Sequence, residues 1–239
     1  MTFLQRYLAG DREDVWRELY ILGARVREPE FIADATAVAA ETMRRARTDV
    51  ERLVTLLPES GWRFAYPTSG PRDNFAVWNP PATDTPDLLR KLEGRLAGPI
   101  PLSLTAWWTI VGSACLMRPP RSVSEVAYPD PLVVAPVEHV TAELDEWLSD
   151  ESFREAKPKF AAPIAPDALH KEDVSGGPPY EVELPDPAAD AVLRNFDKPV
   201  TFVGYLRLAF GWAGLPGYAE VFDEPPSWIT EIAANLIPL

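Results

Sequence analysis

The chain has 239 residues, 46% of them hydrophobic and 10% aromatic, ample for a packed core and incompatible with wholesale disorder. Its formal net charge is −13, unevenly spread: residues 1–66 carry ten Lys/Arg against eleven Asp/Glu, so nearly all the excess acidity lies beyond them. That excess opposes nucleic-acid binding, which needs clustered cations, and adhesion to an anionic membrane. It leaves a basic protein as the electrostatically favoured partner, although solubility alone explains such a charge equally well.

The single cysteine, Cys115, has no intrachain disulfide partner, which fits a reducing compartment. The first residues lack a basic stretch followed by an apolar one, and no apolar run approaches the ~18 residues of a membrane span. The expected location is the cytoplasm. The 26 prolines are about twice the usual share of roughly 5% and thicken after Pro58. They predict short elements joined by stiffened, ordered loops.

In chain order, the first sixty residues read as helices. Asp11 is placed to cap a helix, with Asp14 three positions on and Val15, Trp16, Leu19, Leu22 and Val26 at helical spacing. Pro29 suits the first turn of a second, longer helix. There Phe31, Ala35, Val38, Ala39, Thr42, Met43, Ala46, Val50, Leu53 and Leu57 hold one stripe, which Pro58 and Gly61 end. An antiparallel helical hairpin over residues 1–66 is expected. Arg44, Arg45 and Arg47 read as a solvated face, paired along the helix with Asp49 and Glu51.

A proline-rich passage follows, with a short strand expected at Phe75–Trp78. Residues 87–96 read as an amphipathic helix, and Ser103 as the cap of another that Gly112 ends in a left-handed conformation. Residues 113–117 and 132–135 read as buried strands. Residues 137–148 read as a helix burying Val140, Leu144, Trp147 and Leu148. After Phe160 a loop-rich stretch leads to a strand over Tyr180–Leu184. Residues 201–212 form a nearly all-apolar helix, expected to be the most buried, and residues 228–236 a closing one. The fold class this predicts is α+β: a mainly antiparallel sheet flanked by helices over residues 67–239, with the N-terminal hairpin packed on it, as two parts or one continuous unit.

Chemistry-bearing residue types gather in two places. Residues 170–177 hold His170, Lys171, Asp173 and Ser175, types that serve a base, its orienter and a nucleophile. Eight contiguous loop residues rarely converge on one point, and the plainer reading is a turn in which Gly176 and Gly177 supply positive φ. The second place is the run Glu138, Glu143, Asp145, Glu146, Asp150 and Glu151, with no Lys or Arg until Arg154. It reads as a solvated face or as a docking surface for a basic partner. With two histidines and no metal-ligand or phosphate-loop spacing, neither a metal nor a nucleotide cofactor is expected.

The pattern Leu88, Leu89 and Leu92, then Ile100, Pro101 and Leu104, then Trp107, Trp108, Val111 and Gly112 resembles the start of the SUKH superfamily. Residues 130–134, 168–171 and 202–207 also resemble segments of a group of bacterial proteins of unassigned role. The SUKH resemblance implies a mixed α+β fold and a role as an immunity protein that neutralises a toxin, or as a regulatory interaction module. The expected function is therefore a non-enzymatic protein-binding module. Its candidate contact residues are the six acids above together with His170, Lys171, Asp173 and Tyr180. The alternatives are a small-molecule enzyme with an atypical site at His170, Lys171 and Asp173, and a structural subunit of an assembly.

Overall fold

A computed structural model of the chain describes residues 1–65, 76–119, 128–156 and 158–239. Among these, helix dominates at 53% against 11% strand, and the strands form small, unclosed sheets. The expected sheet-centred α+β fold is thus corrected to a helix-dominated one. Proline explains much of the difference, because it has no N–H to give to a ladder.

The N-terminal part forms where the helical period is longest. Helix α1 (Phe3–Leu8) opens with a reciprocal cap: Thr2 Oγ1 accepts from the Gln5 N–H, and Gln5 Oε1 accepts from the Thr2 N–H. Helix α2 (Arg12–Leu22) follows, but Asp11 does not cap it; its carboxylate accepts from Arg6 Nε at 2.8 Å. Asp14 pairs with Arg17. After a 3-10 turn (Gly23–Arg27), helix α3 (Ile32–Glu59) runs for 28 residues. Pro29 lies in the turn before α3 and not in its first turn.

Helix α3 buries the expected stripe from Ala35 to Leu57, with Asp49 added to it. On its outer face Arg47 pairs with Glu51 as expected, but Arg44 and Arg45 pair with Glu41, and Asp49, expected on this solvated face, is buried instead. Pro58 sits in the last turn, and Gly61 leaves the helix at φ +91°.

Helix α4 (Thr85–Leu96) leads to the short α5 (Leu102–Ala106), which widens into a π-helical turn (Trp107–Val111). Ser103 does not cap α5; Pro101 precedes it, and the Ser103 hydroxyl donates to Asp190 at 2.7 Å. Gly112 ends the turn at φ +91°, where a Cβ would stand 2.1 Å from the Asn79 carbonyl oxygen. Only glycine permits that approach, which lets β2 (Ser113–Cys115) pair with β1 (Trp78–Asn79). Of the strand expected from Phe75, Phe75 itself lies outside the described residues.

Strand β2 also pairs with β3 (Val133–Val134), which Pro131 and Pro136 bracket. Strand β4 (Phe160–Ala165), in a stretch expected to be loop, pairs antiparallel with β5 (Tyr180–Leu184), and the register slips after Pro163. Strands β6 (Val192–Leu193) and β7 (Val200–Thr201) form a third pairing. Isolated links join the three edge to edge: the Ala135 N–H donates to the Ile164 carbonyl at 2.8 Å, and Glu181 and Arg194 exchange backbone bonds at 3.3 and 2.8 Å.

Helices α6 (Val137–Ser149) and α7 (Glu151–Ala156) precede β4. Helix α8 (Phe202–Gly211) opens on Thr201, whose hydroxyl accepts from the Gly204 N–H at 3.2 Å, and buries Phe202, Val203, Tyr205, Leu206, Ala209 and Phe210. Helix α9 (Ser227–Ala233) packs on α3. One apolar cluster extends from Tyr7 to Leu239 and draws on both sides of residue 66.

Candidate functional site

Helix α6 is amphipathic because its apolar residues recur every three or four positions. Val137, Val140 and Leu144 are buried, and the Trp147 ring stacks at a tilt on Phe160 of β4 at 5.9 Å. The same spacing turns Glu138, Asp145 and Glu146 outward, with Glu143 half-buried; Asp150 and Glu151, at the junction with α7, are exposed too. Asp145 pairs with Arg95 of α4, and Glu143 Oε1 lies 3.9 Å from His139 Nε2. Asp150 accepts from the Ser152 hydroxyl at 2.7 Å.

The last turn of α6 carries no basic residue. The C-terminal end of a helix is its negative pole, so Asp145 and Glu146 sit where the helix dipole disfavours acids. Glu138, in the first turn of α6, and Glu151, in the first turn of α7, sit where it favours them.

The second cluster does not converge. The 3-10 turn His170–Glu172 sends its side chains in different directions. The His170 side chain is 48% exposed and bonds through Nδ1 to Asp167. The other bonds of Asp167 go to the backbone N–H groups of Leu169 and His170, so this carboxylate caps the turn. Partial burial works against its charge, but the bonds from His170 and Leu169 outweigh that and hold its pKa below the ordinary value. Asp173 is exposed in a left-handed conformation at φ 60°. That residue supplies the positive φ expected of Gly176 and Gly177. Gly176 matters for closeness instead, since a Cβ there would lie 2.5 Å from Asp167 Oδ1.

Lys171 turns the opposite way and is 0% exposed. Its Nζ lies 2.6 Å from Asp130 Oδ1, and the Tyr180 hydroxyl donates to Asp130 Oδ2 at 3.0 Å. The Lys171 Nζ also stands 4.8 Å from the centre of the Tyr180 ring, which packs edge-on against Phe196 and Tyr205. Burial and the nearby Asp130 charge raise the Tyr180 pKa, which keeps its hydroxyl a donor. The 128–130 backbone is seated on Gly217, where a Cβ would come within 2.3 Å of the Tyr128 carbonyl oxygen. Lys171 and Tyr180 thus meet around Asp130, while His170 and Asp173 stand apart from them at the surface.

The sequence reading missed three of the buried acids, Asp49, Asp130 and Asp190, which join separate segments of the interior. Each had a signal. Asp49 falls on the apolar stripe of α3, while Asp130 and Asp190 interrupt otherwise apolar runs. Asp190 is 2% exposed and accepts from the Ser103 hydroxyl and the backbone N–H groups of Ala191 and Val203. Burial raises its pKa against the opposing effect of these bonds. Cys115 is a poor nucleophile, because burial pushes its pKa up to about 11.

Among the described residues, no group of three His, Cys, Asp or Glu side chains is placed to hold a metal ion, and no helix is long and apolar enough to cross a membrane. Comparison of the chain with protein-family models, curated proteins and solved structures finds no match in any of the three.

Proposed function

We propose that the chain is a non-enzymatic binding protein that docks a basic protein partner on the carboxylate face of α6 and the start of α7. The observation that carries this reading is the exposed run of Glu138, Glu146, Asp150 and Glu151 along α6 and the start of α7. Glu146 stands in a last helical turn that has no basic residue, whereas Asp145 is already paired with Arg95. The helix dipole disfavours Glu146 at that end, so helix stability does not account for its presence. A face of this sign speeds encounter with a basic partner and fixes its orientation. The SUKH resemblance implies the matching roles of an immunity-type inhibitor, occluding a toxin, or a regulatory interaction module. An enzyme centred on His170, Lys171 and Asp173 is disfavoured by the opposed directions of the first two side chains.

The test is paired capture from the host lysate at low and high salt, using the protein and a Glu138→Lys, Glu143→Lys, Glu146→Lys variant. A partner held by the protein at low salt, released at high salt and lost from the variant is the expected result. A partner retained equally by both, at either salt, sinks the electrostatic docking.

A further inference from the structure

The last residues of the chain lie against α3 and are held there through their backbone. The Ile237 N–H donates to Asp49 Oδ1 at 2.8 Å. Three arginines reach carbonyl oxygens of the same stretch: Arg52 to Asn235, Arg45 to Pro238 at 3.1 Å, and Arg207 of α8 to Leu239 at 3.2 Å. Leu239 is itself buried, as are Ile229 and Ile232 of α9 just before the stretch.

Asp49 is the centre of this arrangement and its weak point. Its side chain is fully buried, and Oδ2 has no hydrogen-bond partner. The nearest cation is Arg52, 3.9 Å from Oδ1 and already engaged with Asn235. Arg45 is bound to Glu41 as well as to Pro238, and Glu231 of α9 is exposed. A carboxylate so enclosed has lost its water without gaining a close counter-ion, and that disfavours the charged form.

We propose that residues 235–239 are a clasp gated by the protonation of Asp49, closed on α3 while the carboxyl is neutral and loosened when it ionises. The neutral acid still presents a carbonyl oxygen to the Ile237 N–H and carries no buried charge. The carboxylate regains water, and room for Arg52 to turn towards it, only when the tail lifts. Burial pushes the Asp49 pKa up to about 7, against the smaller opposing effects of Ile237, Arg52 and Arg45. With the closed-state value raised above the ordinary carboxylate value of about 3.9, closure is fully favoured below the ordinary value and weakens as pH rises towards the raised one.

The experiment is hydrogen exchange of the tail at pH 5 and pH 8, corrected for the intrinsic pH dependence of exchange, in the protein and in Asp49→Asn. The asparagine keeps an acceptor for Ile237 and never ionises. The expected result is a rise of about tenfold or more in the opening constant of the tail from pH 5 to pH 8, as a shift of this direction and size requires. Asp49→Asn should show no such rise. An equal rise in both proteins, or none in the unmodified one, overturns the proposal. Titration of the Asp49 side-chain carbon by NMR needs no variant, and a midpoint near the ordinary carboxylate value overturns it as well.

Discussion

Helix α3 and the stretch from Asp130 to Thr201 face the same requirement, to leave few buried polar groups unpaired, and meet it differently. In α3 the backbone satisfies itself over 28 residues, and the side chains mainly bury a stripe, with Asp49, Arg45 and Arg52 as the polar exceptions that bind residues 235–238. Beyond Asp130 the strands are two to six residues long, and prolines interrupt or bracket several of them. There, buried side chains join segments that the backbone ladder does not. Asp130 ties the loop before β3 to Lys171 and to β5, and Asp190 ties α5 to the start of α8. Where regular structure is short, a few charged and polar residues carry the tertiary connections that apolar packing carries in the helical part.

This contrast sets an order of mutational effects. Lys171→Ala leaves Asp130 buried without its cation and should cost about 3–5 kcal/mol of unfolding free energy, read from urea denaturation. Replacing both partners, as Lys171→Met with Asp130→Asn, should cost clearly less than the single change, because no unpaired buried charge remains. Asparagine also tolerates the left-handed φ of 45° at that position. A double variant as unstable as the single one would show that the pair acts through its shape and not its charge. In α3, Leu53→Ala removes a fully buried side chain and should cost about 3 kcal/mol by leaving a cavity. A loss well below that would mean the stripe is free to collapse around the gap, and the helical part would not be the tightly packed region this comparison makes it. Thr201→Ala removes a hydroxyl that both caps α8 and bonds the buried Asp190, and should cost about 1–2 kcal/mol, because Asp190 keeps its bonds from Ser103, Ala191 and Val203.

The same contrast governs how much of the molecule was legible in its sequence. Helices α3, α4, α6 and α8 were visible because their apolar residues repeat at the helical period, a local property. Strand β5 was readable over its full length, Tyr180–Leu184, by its alternation and β-prone residues. Its partner β4, with sequence Phe-Ala-Ala-Pro-Ile-Ala, has a proline and little alternation, so nothing local marked it as a strand. The expected caps at Asp11 and Ser103 failed because each side chain has a competing partner: Asp11 bonds Arg6 of the preceding helix, five positions back, and Ser103 bonds Asp190, 87 positions on. The acidic face of α6 could be read directly. The meeting of Lys171 and Tyr180 around Asp130 could not, since three segments must first be brought together.

The long reach of these polar links also bears on the order of events in folding. Asp130 and Lys171 are 41 positions apart, and Ser103 and Asp190 are 87 apart. Closing such loops costs chain entropy before the contact returns anything, so these links belong to the late part of the pathway, after α3 and its neighbours have collapsed. Contacts absent from the transition state govern the rate of escape from the native state more than the rate of reaching it. Removing Lys171 should therefore steepen the loss of the native state in an unfolding experiment while leaving refolding nearly as fast. The buried ion pair acts chiefly as a lock on a structure that other forces assemble.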